Sequence, residues 1–568
     1  LGRPFRPALA MLAAATGLVL LMACANVAGL LLARGIARRR ELAIRAALGA
    51  GGGRVVRQLL TESVLLSVAG GAVGWAVAAG IVRATPALFP RSVPGLADVA
   101  LDEAALAFTA GLSVAVGLLF GTAPAVAWSR VDLIRALAAG HGATGGGPGR
   151  LRTNRGQAGL AVAQIALAVV LLTGAGLLLR SFVAFVTLDR GFDPTHVVRI
   201  RVSIGAPGVS ARLGGGRLDP EEVDASNAVV LQVTEALRGQ MARLEDLPGV
   251  AAAARSSGFP LNSADSRQPF EVAGRPRPSD TDEQSWAGVR TVDPGYADVM
   301  RLRVRDGRFL AETDGPGSPR VAVASESFAR AAFGGEPAVG QRFRLGYGRE
   351  WEVVGVVADV TPLYDLSRQP GPGDVYLSML QAEPNLSPYS SPPTVVVRTD
   401  GDPGALIPLV RTVLARVHPE AQVYATPLEA TLSREAAQPR FYALCAGIFA
   451  AVALLLAAFG LYSVLSYTVS RRRRELGVRM ALGAGRGSVV LLVVRQGGML
   501  VVAGGVLGLL AAAASTRVVA SLLFGVTATD VLTFAGATAV LLAAGLLACW
   551  LPARRATRVD PMQVLRFE

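Results

Sequence analysis

The chain has 568 residues, of which 52% are hydrophobic and only 17% charged, and its mean hydropathy is +0.44; soluble globular chains carry about 25% charge, so a wholly soluble protein is excluded. The formal charge of +14 sets 56 basic residues, all Arg, against 42 acids. Residues 187–438 sum to −6 and the remainder to +20, so the basic excess lies on short loops between apolar runs and not on a nucleic-acid-binding face.

A helix that spans a bilayer takes about 20 mostly apolar residues. In chain order, residues 8–33, 60–82 and 104–128 are the first three such runs. Residues 140–149 are Gly-rich and read as a flexible cytoplasmic linker. A fourth run, 158–179, leads into a long polar stretch, 187–438. Three more runs follow at 441–469, 489–514 and 531–551. A removable signal peptide would be one short apolar stretch with a cleavage site, which this pattern is not. The polar stretch reads as a folded α+β domain. Val197–Ile204, 320–324 and 351–357 have strand character, 227–244 has helical periodicity, and 370–373 and 387–393 mark loops. Cys24, Cys445 and Cys549 each lie inside an apolar run, without disulfide or metal-ligand spacing, and read as buried filler.

Arginine placement orients the spans. Arg34, Arg38, Arg39, Arg40, Arg45, Arg54 and Arg57 follow the first run. Arg130, Arg135, Arg150, Arg152 and Arg155 follow the third. Arg471, Arg472, Arg473, Arg474, Arg479 and Arg486 follow the fifth, and Arg554, Arg555, Arg558 and Arg566 close the chain. One topology puts all four groups in the cytoplasm. The N-terminus lies outside, the C-terminus inside, and 187–438 is extracytoplasmic, with the Arg-poor connections 83–103 and 517–530 also outside.

The two ends of the chain repeat one another. Arg38-Arg39-Arg40-Glu41-Leu42 recurs as Arg472-Arg473-Arg474-Glu475-Leu476, and Arg45, Leu48, Gly49 and Ala50 recur as Arg479, Leu482, Gly483 and Ala484. The offset of 434 also carries Gly70, Gly71, Gly74 and Arg83 onto Gly504, Gly505, Gly508 and Arg517; Arg130-Val131-Asp132 returns at an offset of 428 as Arg558-Val559-Asp560. Residues 1–140 and 441–568 are therefore two copies of one three-helix module in the same orientation, related by an expected pseudo-twofold axis along the membrane normal.

These motifs resemble the MacB/FtsX-type ABC transporter permeases of the duplicated subgroup. The resemblance rests on the arginine-glutamate motif at 38–50 and 472–484. Further support comes from the ending Asp560-Pro561-Met562-Gln563-Val564-Leu565-Arg566 and from Gly191-Phe192-Asp193 and Val353-Val354-Gly355-Val356-Val357. It covers essentially the whole chain. It implies a polytopic α-helical membrane protein with about seven transmembrane helices, two parallel three-helix FtsX-like repeats and one extracytoplasmic α+β MacB-like periplasmic domain. The expected domains are 1–140, the first module; 141–155, the linker; 156–186, the helix opening the second half; 187–438, the periplasmic domain; and 439–568, the second module. In the family each half opens with a helix and a periplasmic domain; the first half here lacks both, which reads as an N-terminal truncation. The resemblance further implies a bacterial inner-membrane location and a type VII mechanism. In it, closure of a separate cytoplasmic ABC ATPase dimer is relayed to the periplasmic side. The cargo would be a lipid, peptide or other hydrophobic compound. A non-transporting regulator of a periplasmic partner, such as a cell-wall hydrolase, is the alternative.

The candidate ATPase-coupling residues are Arg38, Arg39, Arg40, Glu41, Arg45 and Gly49 in one copy and Arg472, Arg473, Arg474, Glu475, Arg479 and Gly483 in the other. Charge alone would anchor a helix end; it leaves the repeated Glu, Leu-Gly-Ala and spacing unexplained, and an interfacial amphipathic coupling helix accounts for them. Gly70 and Gly74, and Gly504 and Gly508, are small-x-x-x-small pairs suited to helix packing in lipid. Asn26 and Gln164 are polar groups in apolar runs and read as interhelical hydrogen-bonding residues; Glu62 and Arg495 lie nearer helix ends. His141, His196 and His418 are scattered, so no metal site or catalytic triad is suggested. A nucleotide-binding P-loop needs a Lys on the terminal phosphates, and the chain has none. No cofactor is expected on this chain; ATP and magnesium belong to the partner ATPase.

Overall fold

The structure, a computed structural model, describes residues 6–37, 52–88, 100–129, 148–204, 220–257, 267–272, 286–346, 350–360, 373–381, 393–417, 421–471, 479, 485–520 and 523–556. The chain divides into two units, Thr187–Ala436 and the two flanking stretches taken together. That boundary lies within two residues of the expected one. The helical unit begins with α1 (Arg6–Ala37), α2 (Gly52–Leu88), α3 (Glu103–Ser129) and α4 (Pro148–Val186). Residues 148–155, expected in the linker, instead form the first turns of α4. Proline is tolerated there, because the first helical N–H has no partner to lose. Residues 140–147 of the expected linker lie outside the described residues, as do most of the expected loops 370–373 and 387–393.

The soluble unit holds β1 (Val197–Ile204), α5 (Pro220–Glu245), β2 (Val250–Ser256), β3 (Arg267–Val272), β4 (Trp286–Val292), α6 (Tyr296–Met300), β5 (Val304–Gly307) and β6 (Val321–Ser325). There follow α7 (Glu326–Phe333), β7 (Arg342–Leu345), β8 (Glu350–Val357), β9 (Asp374–Ser378), β10 (Thr394–Thr399), α8 (Pro403–Leu414) and β11 (Ala421–Pro427). The α+β expectation holds, and the strands expected at 320–324 and 351–357 are β6 and β8. The sheet runs β11-β1-β10-β2-β4-β3-β7-β8-β6-β9, and β9 also pairs with β4 in parallel register. That last pairing closes β4, β3, β7, β8, β6 and β9 into a ring, which removes their open edges.

The ring encloses an aromatic core. Phe328 on α7 stands 4.9 Å from Phe270 and 5.1 Å from Phe343, ring centre to ring centre, beside fully buried Trp351. Each such side chain contributes about 1.5–3 kcal/mol on burial. α7 starts where the Ser325 Oγ accepts the Phe328 N–H, and it stops at Gly334, whose φ of 66° suits glycine. Strands β11, β1, β10 and β2 carry a second core, in which Ile200 and Val397 meet Val233 and Leu237 of α5 and Val410 and Leu414 of α8, while β5 pairs with β8.

Three arginines are buried in this unit. Arg255 holds Asp293 through two bonds, Nε to Oδ2 at 2.8 Å and Nη2 to Oδ1 at 2.9 Å. Arg398 donates to the carbonyls of Val299, Thr195 and Asp193. Arg290, 1% exposed, donates to Asp374 at 2.9 Å. Burial opposes the charge of Arg290, but Asp374 outweighs it and the guanidinium binds its proton more tightly than usual. Burial also pushes the neighbouring Tyr296 phenol up to about 12.

The chain then continues as α9 (Leu428–Arg471), α10 (Arg486–Val519) and α11 (Val531–Ala556). Among the described residues, six helices are long and apolar enough to cross a membrane: Leu9–Gly29, Leu60–Thr85, Gly156–Val186, Leu428–Ser470, Gly487–Thr516 and Val531–Arg554. The seventh expected span is α3, a 27-residue helix whose apolar stretch Glu103–Leu119 is shorter than the other six. At 1.5 Å per residue α3 is about 40 Å long, enough to cross a bilayer. In lipid each backbone group must be satisfied within its own helix. Hydroxyls follow the same rule: Thr16 and Thr109 donate to the carbonyls of Leu12 and Ala105, four residues back.

The repeat is structural as well as sequential. The offset of 434 lays α1 over the later part of α9 and α2 over α10. The offset of 428 carries Glu103, which opens α3, onto Val531, which opens α11. Within each copy the contact between the second and third helices is also matched. A Cβ on Gly117 of α3 would stand 2.8 Å from the Val64 Cα and 3.2 Å from the Ser67 Oγ; one on the equivalent Gly545 would stand 2.8 Å from Val501, the equivalent of Ser67.

Candidate functional site

The two copies meet through α1, α4 and α9. Asn26 on α1 donates from Nδ2 to the Leu456 carbonyl of α9 at 2.8 Å. Gln164 on α4 donates from Nε2 to the Asn26 Oδ1 at 3.2 Å and lies 3.5 Å from the Met22 carbonyl. Under the repeat offset Met22 corresponds to Leu456 and Asn26 to Gly460. The first helices of the two modules therefore touch at equivalent positions, as helices beside a pseudo-twofold axis do. A Cβ on Gly460 would sit 2.9 Å from the Asn26 Oδ1 and closer still to the Gln164 side chain. The glycine is what lets the two amides into the junction. A cavity of about 40 Å³ adjoins it, lined among others by Asn26, Gln157, Gln164, Ser463 and Tyr467. That is room for a water among polar partners. The expected hydrogen-bonding role of Asn26 and Gln164 is thus met by defined partners. Apolar packing surrounds the junction, with Met22, Ile165, Val169, Ala457 and Leu461 buried together.

The packing glycines differ between copies. Gly504 and Gly508 of α10 are buried against α4. A Cβ on Gly504 would stand 2.6 Å from the Ile165 Cγ2, and one on Gly508 2.6 Å from the Val169 Cβ and 2.8 Å from the Ala166 carbonyl. The equivalent Gly70 and Gly74 of α2 are exposed, with nothing within 4 Å of a Cβ at either. The sequence pairs all four as packing residues; within this chain only the second pair is seated.

A clamp that sequence reasoning missed lies at the C-terminal end of α4. Arg180 donates to Asp530 in the loop before α11. The Ser181 Oγ accepts the Phe524 N–H at 2.8 Å, and Phe185 meets Phe524 edge to face at 5.9 Å. Asp530 also caps α11 by accepting the Thr533 N–H and hydroxyl. The Thr533 bonds, then Arg180, hold its carboxyl below the usual range. The signal was available in the sequence: Arg180 is the first charge after a long apolar run, and Asp530 precedes Val531, which opens the last one.

Of the expected coupling residues, Arg38, Arg39, Arg40, Glu41, Arg45 and Gly49, and Arg472, Arg473, Arg474, Glu475 and Gly483, lie outside the described residues. Arg479 is described, helical and exposed. What the structure adds is the frame: each motif falls in sequence between two long helices, α1 and α2 in one copy and α9 and α10 in the other.

Two membrane-embedded modules of one design, with a soluble α+β domain inserted between them, define a polytopic membrane protein of the permease class. Residues 158–422 match the MacB-like periplasmic core domain, and residues 13–133 and 447–561 each match the FtsX-like permease C-terminal domain. The chain belongs to the MacB/FtsX-type ABC transporter permeases and carries a MacB-like periplasmic domain. It is 24% identical over 289 residues to the ABC transporter permease YknZ of Bacillus subtilis, covering 50% of this chain and 72% of that one. It is 26% identical over 290 residues to the pyoverdine export ATP-binding/permease protein PvdT of Pseudomonas aeruginosa, covering 50% and 42%. With the macrolide export ATP-binding/permease protein MacB of Marinobacter nauticus it shares 34% identity over 122 residues, 22% of this chain and 19% of that one. The chain thus spans less than half the length of the two export proteins. The crystal structure of the periplasmic region of MacB from Actinobacillus actinomycetemcomitans aligns with 44% of this chain at 16% identity and a TM-score of 0.30, a score too low to add to the domain match.

Proposed function

We propose that this chain is the membrane subunit of a type VII ABC transporter. It would couple a separate cytoplasmic ATPase dimer to movements of the periplasmic domain that export a hydrophobic, peptide or lipid cargo. The observation that carries the reading is the duplicated arginine-glutamate motif, which stands in sequence between two long helices in each copy. Two equivalent docking elements fit two ATPase subunits. These 568 residues hold no Lys, and so no P-loop of the usual kind, which supports hydrolysis on a partner. The relatives named for pyoverdine and macrolide export support a cargo of the hydrophobic or peptide kind.

The arginine distribution gives the orientation: both motifs cytoplasmic, the N-terminal end of this chain outside and its C-terminal end inside, in a bacterial inner membrane. Reversing Glu41→Arg and Glu475→Arg together is expected to weaken co-purification with the ATPase by about tenfold or more, as loss of a paired interfacial charge does, and to abolish ATPase stimulation. A doubly reversed chain that binds and stimulates like wild type removes the coupling role. Cysteine labelling that places 38–50 and 472–484 on opposite faces removes the topology.

A further inference from the structure

We propose that the seam between α1, α4 and α9 is a narrow, blind water inlet, in which about three water molecules fill the cavity at Asn26 and Gln164 and exchange with the aqueous phase on the side where α1 and α9 end. The inlet rests on the helix packing and not on the ATPase reading; only the assignment of that side to the cytoplasm rests on the orientation proposed above. The cavity of about 40 Å³ takes Asn26 from α1, Gln157 and Gln164 from α4, and Ser463 and Tyr467 from α9. One water needs about 10–15 Å³ of such space and two to four polar partners, so volume and lining both suit water. Gln164 is 3% and Gln157 9% exposed. The Gln164 amide already reaches Asn26 and the Met22 carbonyl. The Gln157 amide makes no hydrogen bond among the described residues. A buried amide without partners is costly, and water in the cavity it lines supplies them.

The polar lining runs outward from this point. The cavity joins the later halves of α1 and α9 to the first half of α4, so it lies toward the ends that carry the arginine motifs. On α9, Ser463, Tyr467 and Ser470 are spaced four and three residues apart and share one helix face; Ser470 is exposed. On α4, the same spacing leads in sequence from Gln164 through Gln157 to Thr153 and Arg150. Gly29 and Gly460 line the cavity without side chains to fill it.

Further along the same seam the lining changes. A second cavity, of about 10 Å³, is bounded by apolar residues, among them Ile165, Leu454, Ala457, Leu461 and Val501. It is apolar and barely one water in size, and such cavities stay dry. The inlet therefore stops at Asn26 and Gln164, and its width admits water but no cargo. A water-mediated hydrogen bond is nearly as good as a direct one. Asn26 and Gln164 can thus exchange partners as α1 shifts against α9, without stranding an amide in lipid.

The test uses the full chain in sealed vesicles, with Cys24, Cys445 and Cys549 replaced by Ala. The probe is silver ion, a water-sized cation that binds thiols and is kept out of apolar surroundings by its charge. Thiols left free are counted afterwards by maleimide tagging in SDS. Ser463→Cys and Ala25→Cys, on two different helices of the cavity, are expected to react from the face that reaches the exposed Arg479→Cys. Both should react at least about tenfold faster than Ala458→Cys at the apolar cavity and than the bilayer-facing Leu455→Cys and Phe459→Cys, since a cation pays heavily to enter an apolar seam. Adding Gln157→Leu to the Ser463→Cys chain should slow its reaction by about tenfold, because the mouth becomes apolar. If Ser463→Cys and Ala25→Cys are as unreactive as Ala458→Cys from both faces, the seam is dry and the inference is overturned. Reaction only from the face opposite Arg479→Cys overturns it as well. If Arg479→Cys is itself reached from outside the cell, the proposed orientation fails, and the inlet stands when Ser463→Cys follows Arg479→Cys.

Discussion

Gly508→Ala is the substitution whose cost the structure fixes most closely. The added methyl would lie 2.6 Å from the Val169 Cβ and 3.0 Å from the Ala166 Cα, whereas carbon atoms rest at about 3.5–4.0 Å. These neighbours include main-chain atoms of Ala166, which cannot swing aside, so α4 and α10 must part by about 1 Å. A gap of that size forfeits between a quarter and a half of each neighbouring contact, and overpacking of this sort costs about 1–3 kcal/mol. At Gly74 the same methyl meets nothing within 4 Å. There the change only removes the backbone entropy of a helical glycine, a gain of about 0.5–1 kcal/mol. The two variants, equivalent by sequence, are thus expected to differ by roughly 2–4 kcal/mol in opposite directions. Equilibrium unfolding in mixed micelles with increasing SDS, followed by circular dichroism, measures the difference. If Gly508→Ala is no less stable than Gly74→Ala, the close approach of α4 and α10 is wrong.

Asn26→Leu removes the bond to the Leu456 carbonyl and the acceptor for Gln164; a loss of about 0.6–2 kcal/mol is expected in the same unfolding assay, and an unchanged transition would contradict the junction. In the periplasmic domain, Arg255→Met strands Asp293 in a largely buried site. It should cost about 3–5 kcal/mol, with part regained in the double variant Arg255→Met/Asp293→Leu; a double variant no better than the single one would speak against the pair. Asp314 has its pKa lowered, first by the bonds from Arg308 and also by the Ala311 N–H. A depressed carboxyl stabilises the fold above its unfolded pKa of about 3.9 and loses that contribution as pH falls through the folded value. Asp314→Asn should therefore flatten the acid side of the domain's stability curve below about pH 4, read by tryptophan fluorescence; a parallel curve would refute it.

The helices and the duplication were legible because lipid imposes a simple code. A span must be apolar all round and self-satisfied, and a tandem copy preserves offsets that arithmetic recovers. The strands at Val197–Ile204 and 351–357 were legible from Val-rich runs of strand length. The ring closure was not. It depends on β9 pairing with β4, more than 80 residues earlier in the chain, and nothing local encodes that partnership. Arg255, Arg290 and Arg398 were missed because an arginine normally marks a surface. Each nonetheless ends an apolar run, Ala-Ala-Ala-Ala-Arg, Ala-Gly-Val-Arg and Val-Val-Val-Arg, a pattern that fits a buried cation whose partner lies elsewhere in the chain. The sequence treated the two glycine pairs alike; nothing local distinguishes Gly504 and Gly508, which sit against α4, from Gly70 and Gly74, which are exposed.

The Asn26–Gly460 pairing has an evolutionary corollary. An assembly of identical subunits must place the same residue on both sides of its axis, so an amide there would always face its own twin. Joining both modules in one polypeptide lifts that constraint. One side carries a donor and acceptor, and the other only a hydrogen atom, which leaves room for Gln164. An amide at both positions, made with Gly460→Asn, would drive the new side chain into Gln164. The two halves are no longer interchangeable, and each can now change only in step with the other.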